Sequence, residues 1–461
     1  MLQSILPTKL WSYLRHLGKP YYNVLAILVS TTPLPSTQPK PALPDHVVPA
    51  IQEKWCKSPY IPLYPHTPPP PLKTPSLNTN LPLPLPDYPP EIANDLAAIP
   101  LPQRAKEEIY ACAWEYTRCV IPQYTNWNRY IAFMRIIIIG IVAEYKGDMI
   151  DVAGSDEVLG YNLSCVLAQL FGGTRIHKDM AREFRCFLLV TSDKASSRGG
   201  GLLFRRYVAA LAKSPRQWFR MRDTDALIRF TIGAALACND LDNVWYSEEE
   251  LEILDELGAT LYDSVAFFKH RSEGETNSTF AYVPDSMRIH AFHQCREALW
   301  ALDVAWAGRP DHLVLSNFLR FFGGPIHMMM RRYRFVEEGL TIGKPETVTV
   351  VKQARQHVKL WNRVGAQNSG SARDVQRYKD LVARKDELMF DGLGDFLDEN
   401  NQITCRECLR QTDCAEKTLY AFGGVQLCGP CRDAWGAYVN AFPERLATVF
   451  PEVATMLCQA P

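Results

Sequence analysis

From about residue 103 onward, the chain consists of long segments in which apolar residues recur at three- and four-residue spacing. This spacing places the apolar side chains on one face of an α-helix, whereas the two-residue alternation of β-strands is scarce. Because the segments are long and strongly apolar, we predict an all-α fold in which a bundle of helices surrounds a central cavity. The predicted helices span residues 103–120, 127–151, 179–191, 202–212, 225–237, 248–272, 285–306, 311–338 and 375–397.

Composition divides the chain into three predicted parts. Residues 1–102 are dense in proline, with four prolines in a row at 68–71. Proline lacks a backbone N–H and fixes φ, so we predict a largely disordered N-terminal arm. Residues 103–375 form the predicted main helical domain, and residues 376–461 form C-terminal helices with a cysteine-rich module.

Charge and hydropathy exclude several classes of function. Lysines and arginines number 50, as do aspartates and glutamates, and this balance argues against a nucleic-acid-binding protein or a polybasic membrane anchor. No segment reaches the ~20 apolar residues that span a bilayer, because Arg135 interrupts the longest candidate. We therefore predict a cytoplasmic protein with reduced cysteines and no stable membrane insertion. The sequon Asn277-Ser278-Thr279 is expected to stay unmodified.

Two groups of charged residues indicate binding of a metal and of phosphate. Glu144 and Asp148 follow a strongly apolar helix, and their spacing of four residues would place both carboxylates on one helical face. Such oxygen ligands could hold Mg²⁺ together with diphosphate, although an ordinary solvated helix end is the alternative. Arg222 could bind phosphate oxygens through two parallel N–H bonds, or could be a surface arginine.

A second group lies further along the chain. His270 is seven residues after Asp263 and would share its helical face, with Arg271 at the edge of that face. A carboxylate, an imidazole and a guanidinium would then converge, although a mixed-charge helix end is the alternative. Arg332 and its neighbours end the predicted helix 311–338, where cations also suit the helix dipole.

In order and spacing, these residues resemble the motifs of class I terpene synthases. Glu144 and Asp148 resemble the outer members of the aspartate-rich motif, and Arg222 resembles the arginine that senses diphosphate. Asp263, Gly274 and Asn277 resemble the second metal-binding motif with the asparagine beyond it, and Arg332-Tyr333 resembles the pair that closes the site. The sequence departs from the family pattern at Glu144, Tyr145, Tyr262, Ala266 and His270, which stand where Asp, Asp, Asn, Ser and Glu are expected.

Longer runs resemble the fungal α-ionylideneethane synthases: 112–116, 126–130, 239–242, 273–282 and 322–333. The resemblance covers residue 88 to the C-terminus and implies a class I terpene synthase-like bundle whose catalytic domain is 103–375. It implies conversion of farnesyl diphosphate, a prenyl diphosphate, to a monocyclic sesquiterpene that leads to abscisic acid, with Mg²⁺ as cofactor. Neutral polyene intermediates are expected to be reprotonated before ring closure, which requires an acid and a base.

The resemblance also assigns roles to single residues. It implies that the metal ligands are Glu144, Asp148 and Asp263, and that the diphosphate is bound by Arg222, Arg271, Asn277 and Arg332. The candidate catalytic residues are His270 and Tyr333. Asn239, Asp240 and Asp242 could be metal ligands in place of the altered motif, but we favour a role as the polar end of the helix that precedes Glu248.

Four cysteines near the C-terminus form an independent signal. Cys405 and Cys408 make one C-x-x-C pair, Cys428 and Cys431 make another, and nineteen residues separate the pairs. Four thiolates at this spacing suit tetrahedral Zn²⁺, with a structural role because they close the coordination shell. A catalytically inactive helical scaffold, in which this zinc module serves protein interaction, is the alternative to the enzyme.

Overall fold

The computed structural model describes residues 88–211, 214–267, 270, 277–324, 326, 371–398, 405, 407–410 and 425–454. Within these residues the chain is helical almost throughout, which confirms the predicted all-α fold. None of the described helices is both long enough and apolar enough to cross a membrane.

The helices follow one another with short connections. Those of the main body are α1 (Gln103–Val120), α2 (Trp127–Tyr145), α3 (Leu163–Phe171), α4 (His177–Lys194), α5 (Leu202–Leu211), α6 (Pro215–Ala226), α7 (Ile228–Cys238), α8 (Glu248–Val265), α9 (Arg288–Trp306) and α10 (Pro310–Phe322). The C-terminal part holds α11 (Ala372–Ala383), α12 (Lys385–Leu388), α13 (Leu393–Asp398), α14 (Gly429–Asn440) and α15 (Phe442–Val449).

Two short antiparallel hairpins interrupt the helices. In the first, β1 (Glu157–Val158) pairs with β2 (Tyr161–Asn162), and in the second β3 (Leu409–Arg410) pairs with β4 (Val425–Gln426). The second hairpin lies between the two cysteine pairs and therefore brings them to the same end of the module.

Helix α7 is the centre of the main body, and every one of its residues is buried. Helices α2, α3, α4, α6, α8 and α10 pack against it. In the ring α1, α2, α4, α6, α8, α10 each helix packs against the next, and α10 packs back against α1. Gly258 permits the close approach of α8, because a Cβ there would lie only 3.2 Å from Ile228 of α7 and from Phe322 of α10. The four helices that carry the charged site residues, α2, α4, α6 and α8, follow one another in this ring.

Local signals set the ends of the site-bearing helices. Ser247 and Glu250 form a capping box at the start of α8, each accepting the other's backbone N–H at 3.2 and 2.7 Å. Between α6 and α7 the chain turns sharply at Leu227, whose φ is +52°. Asp223 stabilises this turn by accepting the Ile228 N–H at 2.6 Å.

Several helix boundaries differ from the prediction. The predicted helix 127–151 ends at Tyr145, and the segment 225–237 belongs to two helices, α6 and α7. The segment 375–397 is broken into α11, α12 and α13, with Gly392 at a φ of +92° before the last of them. Helix α3 was not predicted, and residues beyond 326 of the predicted helix 311–338 lie outside the described residues.

The two outer parts of the predicted three-part division are described incompletely. Residues 88–102, assigned to the N-terminal arm, form turns that pack on α1 and α2, for example through the Leu96 N–H, which donates to the Tyr110 hydroxyl at 2.7 Å. The rest of that arm lies outside the described residues, and the division itself stays a prediction.

The C-terminal helices pack on the main body, with α11 and α13 against α5 and α15 against α8 and α9. Arg377 of α11 binds Asp193 of α4 with two bonds of 2.8 and 2.9 Å. Arg445 of α15 likewise binds Glu256 of α8 at 2.6 and 2.7 Å. The acceptor of each pair is almost fully buried, so both contacts bind the C-terminal part firmly to the site-bearing helices.

Candidate functional site

Arg222 of α6 and Asp263 of α8 form the buried centre of the site. Arg222 is 1% exposed and its Nη2 donates to Asp263 Oδ1 at 3.1 Å. The Nη1 of the same guanidinium donates to Asp225 Oδ2 at 3.0 Å. Burial opposes the positive charge, but the two carboxylates outweigh it and hold the pKa of Arg222 above its ordinary value. The guanidinium is therefore fixed, charged and oriented by two helices.

The second carboxylate oxygen of Asp263 is held by the segment after α8. Both the backbone N–H and the hydroxyl of Thr279 donate to Asp263 Oδ2, at 2.7 and 2.9 Å. Burial raises the pKa of Asp263 in spite of the neighbouring Arg222 and Thr279. Asp263 thus connects Arg222 to residues 277–281, all of which are buried.

His270 lies against the same carboxylate. Its Nδ1 is 3.6 Å from Asp263 Oδ1, and its ring lies edge-on to Tyr262, 5.2 Å between ring centroids. Of the predicted group of Asp263, His270 and Arg271, the first two therefore lie together, although α8 itself ends at Val265. The guanidinium beside Asp263 is that of Arg222, and Arg271 lies outside the described residues.

Asp225 extends the site toward α4. Its Oδ1 accepts Lys194 Nζ at 2.7 Å, and its Oδ2 also accepts Asn277 Nδ2 at 2.8 Å. Burial works against the charge on Asp225, but Lys194 and Arg222 lower its pKa to about 2. Lys194 Nζ is in turn 3.7 Å from Glu144 Oε1.

These residues make a continuous line of alternating charge, here called the charge row, which consists of Glu144, Lys194, Asp225, Arg222 and Asp263. Side-chain exposure is 26% at Glu144, 13% at Asp225 and 0% at Asp263. The row therefore leads from a half-buried carboxylate to a fully buried one. Carboxylates and cations in such proximity can bind a divalent metal and an anion side by side.

Three members of the site were not predicted from the sequence. Asp225 is three residues after Arg222 and so one helical turn away, a spacing that could have identified it. Thr279 lies in the run 273–282 and in the glycosylation sequon, but neither gave it a role in the site; the three residues of the sequon are all fully buried. Lys194 ends α4 outside any motif, and no sequence signal pointed to it.

Asp148 does not continue the face of Glu144. Helix α2 ends at Tyr145, and Asp148 lies in the 3₁₀ turn Gly147–Met149. Its Oδ1 accepts the hydroxyl of Ser197 at 2.8 Å, and its side chain is 61% exposed. The argument from four-residue helical spacing therefore does not hold for this pair, and its role as a metal ligand stays a prediction.

The carboxylates of Asp240 and Asp242 are turned toward Arg129 of α2. Asp242 binds the guanidinium with two bonds of 2.6 and 3.0 Å, and Asp240 accepts the hydroxyl of Thr125 at 2.6 Å. Asp240 has a positive φ of 56°, just after α7. These contacts fit the interpretation we favoured, in which the segment is a polar helix end.

The remaining predicted residues, Arg271, Gly274, Arg332 and Tyr333, lie outside the described residues.

A separate cluster contains the four cysteines Cys405, Cys408, Cys428 and Cys431. Their sulfur atoms all lie within 4.8 Å of one another, and the Sγ atoms of Cys405 and Cys428 are 3.7 Å apart. Tetrahedral zinc with Zn–S bonds of ~2.3 Å places its sulfurs ~3.8 Å apart, so the cluster could hold a metal such as zinc. The backbone N–H of Cys428 also donates to Cys408 Sγ at 3.4 Å, a bond that suits a thiolate.

Comparison with known proteins assigns most of the chain to one group. Residues 86–452 match the family model described as alpha-ionylideneethane synthase aba3. An alpha-ionylideneethane synthase aba3 of Botryotinia fuckeliana (strain B05.10) is 62% identical over 368 residues, which are 80% of this chain and 83% of that protein. An alpha-ionylideneethane synthase abl3 of Leptosphaeria maculans is 60% identical over 371 residues, 80% of this chain and 86% of that protein. A protein of the same name from Pyricularia oryzae (strain Y34) is 50% identical over 427 residues, 79% of this chain and 82% of that protein.

Proposed function

The chain belongs to the alpha-ionylideneethane synthase family, and from this premise we propose that it is a sesquiterpene synthase. The substrate is farnesyl diphosphate, and the products are diphosphate and a monocyclic sesquiterpene of the alpha-ionylideneethane type, a precursor of abscisic acid. In enzyme terms this is a carbon–oxygen lyase reaction on a phosphate ester. The relatives' names support the synthase, and the substrate and product are our proposal.

The charge row is the observation that carries this proposal. Ionisation of an allylic diphosphate moves negative charge onto the departing diphosphate, so the site must offer fixed positive groups. Arg222 is held between Asp263 and Asp225 by bonds of 3.1 and 3.0 Å, and Lys194 lies on the other side of Asp225. Because these cations are already positioned, little reorganisation is required when charge develops.

A divalent cation is needed to balance the site. With every member ionised, the charge row contains three carboxylates and two cations and is net negative, which would repel a diphosphate. Mg²⁺ prefers carboxylate and phosphate oxygens, and Glu144, at the more exposed end of the charge row, offers such oxygens. The carboxylates of Asp225 and Asp263 are already bound by Lys194, Arg222, Asn277 and Thr279. When bound, Mg²⁺ would supply charge neutralisation for the leaving diphosphate. Its ligands among the charge row and Asp148 stay a proposal.

His270 is our candidate for the proton transfers. It is almost fully buried, and its Nδ1 is 3.6 Å from Asp263 Oδ1. In this position His270 could give a proton to a neutral polyene and take one back from the cyclised cation, so that no net proton is consumed. Full product turnover by a His270→Ala variant would remove this residue from the role.

Incubation of the purified full-length protein with farnesyl diphosphate and Mg²⁺, followed by gas chromatography and mass spectrometry of the volatiles, tests the proposal. We expect a monocyclic C15 hydrocarbon, and none when EDTA is present. If the folded protein releases neither hydrocarbon nor diphosphate, the inactive-scaffold alternative replaces the synthase.

A matched pair of arginines on α6 tests the role of the charge row. Arg222→Lys should lower kcat/KM by ~100-fold, since the guanidinium that Asp263 and Asp225 hold in position is replaced by a single flexible ammonium. Arg216→Ala is the control, because this arginine is on the same helix, is 68% exposed and binds Glu252 at the surface. Equal activity of the two variants would contradict a contact between Arg222 and the diphosphate.

A further inference from the structure

The cysteine cluster is connected to the charge row by a buried group of aromatic rings. Cys428 is the N-cap of α14, and Cys431 lies in the first turn of that helix. A metal bound by the four thiolates would therefore fix the position of the start of α14. Trp435 follows Cys431 by four residues and projects from the same side of the helix, one turn further on.

Trp435 packs between two segments that carry site residues. Its ring stacks on Tyr282 with centroids 4.7 Å apart and an interplanar angle of 22°. It also lies edge-on to Trp218, at 5.9 Å, and Trp218 contacts Tyr282 at 5.6 Å. The three rings, here called the aromatic cluster, are at most 3% exposed.

Each partner of Trp435 is directly connected to the charge row. Trp218 precedes Arg222 by one turn of α6, so a shift of Trp218 moves the helix that carries the guanidinium. Tyr282 follows Thr279 by three residues, and Thr279 supplies two of the bonds to Asp263. The aromatic cluster therefore contacts both segments that orient the Arg222–Asp263 pair.

We propose that the metal-bound cysteine module positions Arg222 and Asp263 through Trp435, so that metal occupancy of the module controls the geometry of the diphosphate site. Trp435 is then a positioning residue that touches no substrate. The catalytic consequence of this proposal rests on the proposed function. The connection from the cysteine module to Arg222 and Asp263 rests only on the ring contacts of Trp435. Each aromatic pair of this kind contributes ~0.5–1.5 kcal/mol of stability beyond that of the area it buries. The ring of Trp435 can therefore determine how firmly the two segments in contact with it are held.

Hydrogen–deuterium exchange of the intact full-length protein measures this connection without reference to activity. Trp435→Ala, with its zinc content checked by elemental analysis, should raise amide exchange in residues 215–226 and 277–282 by about tenfold. Removing zinc from the unmodified protein with a chelator should do the same, and added Zn²⁺ should reverse it. Amide exchange in α3 should not change, because this helix packs on α2, α4 and α7 and not on the aromatic cluster.

Two variants keep the result interpretable. Trp435→Phe retains a ring and should restore most of the protection and of kcat/KM, which distinguishes positioning from general loss of folding. Trp300→Ala is the matched control, because this tryptophan is 60% exposed and should leave exchange and activity unchanged.

The possible failures are distinguishable. If Trp435→Ala or zinc removal leaves the exchange of residues 215–226 unchanged, the connection through Trp435 does not exist. If exchange responds as expected but the unmodified protein makes no hydrocarbon from farnesyl diphosphate, the proposed function fails and the positioning role stands.

Discussion

Replacement of Asp225 by asparagine should have opposite effects on stability and on anion binding. The carboxylate accepts Lys194 Nζ at 2.7 Å, Arg222 Nη1 at 3.0 Å and Asn277 Nδ2 at 2.8 Å. In Asp225→Asn the shape is kept, but the negative charge and part of the accepting capacity are lost. Two almost fully buried cations are then left without the carboxylate they share.

The cost can be estimated in two ways. The pKa of Asp225 falls from its ordinary 3.8 to about 2, which corresponds to about 2 to 3 kcal/mol, since one pH unit equals about 1.4 kcal/mol. Removal of one partner from a buried ion pair typically costs about 3 to 5 kcal/mol. We therefore expect the apparent free energy of unfolding to fall by about 2 to 4 kcal/mol in a urea titration followed by circular dichroism.

The sign of the pH dependence follows from the lowered pKa. A carboxyl whose pKa is depressed on folding stabilises the protein above its unfolded pKa, here about 4. This stabilisation is lost as the pH falls through about 2. The difference between the unmodified protein and Asp225→Asn should accordingly be full at pH 6 and shrink below pH 4.

Anion binding should change in the other direction. In the absence of metal, Asp225 competes with any anion for Lys194 and Arg222, so Asp225→Asn should bind inorganic diphosphate more tightly in calorimetry. Asp303→Asn is the control, since Asp303 pairs with an arginine, Arg320, that is 43% exposed, and such a pair contributes at most about 1 kcal/mol. If Asp225→Asn is no less stable than this control, or binds diphosphate more weakly without metal, the competition we describe is absent.

Further predictions concern single contacts around the site. Thr279→Val should lower the unfolding free energy by about 1 to 2 kcal/mol, because one of the two Thr279 donors to buried Asp263 is lost; an unchanged urea midpoint would contradict this. Asp242→Asn should leave the Mg²⁺ concentration for half-maximal turnover unchanged, since this carboxylate binds an arginine, and a large increase would identify a metal ligand. Arg445→Met should lower the unfolding free energy by about 3 to 5 kcal/mol, because buried Glu256 loses its arginine partner. The double variant that also carries Glu256→Gln should recover part of that stability.

Local signals in the sequence predicted the helices best where the signals were complete. Helix α1 spans the predicted 103–120, and α8 begins at the predicted Glu248, after the Ser247–Glu250 capping box. The two C-x-x-C pairs also predicted the cysteine cluster, because four thiolates at that spacing have few other uses. In each case the determining residues are close together in the chain.

The end of α2 was not predictable because a distant residue determines it. A Cβ at Gly147 would lie 2.1 Å from the carbonyl oxygen of Ser192, so the backbone at Gly147 packs directly against α4. To reach this contact the chain leaves the helix at Tyr145, and Asp148 turns toward Ser197. No periodicity within α2 contains that information, and the spacing argument for Glu144 and Asp148 failed for this reason.

For a similar reason, the sequence could predict only some of the residues that lie near Arg222. Asp225 lies on the same helix, so its proximity follows from α-helical geometry. Asp263 follows Arg222 by forty-one positions and lies on α8. Lys194, which binds Asp225, lies on α4, earlier in the chain. Resemblance to known motifs pointed to Asp263, but only the packing of α4, α6 and α8 around α7 brings all of these charges into one row.

The C-terminal part is joined to the same three helices, and this decides how the site is stabilised. Beside Lys194 in α4, Asp193 is bound by Arg377; two turns before Asp263 in α8, Glu256 is bound by Arg445. In α6 the contact is aromatic, through Trp435. Three of the four helices that contribute to the charge row, α4, α6 and α8, are thus held at a second point by residues after 371. The residues on either side of the predicted boundary at 375 therefore pack against each other. Since charges fixed in advance stabilise a transition state better than charges that must reorganise, the C-terminal part belongs to the framework of the site.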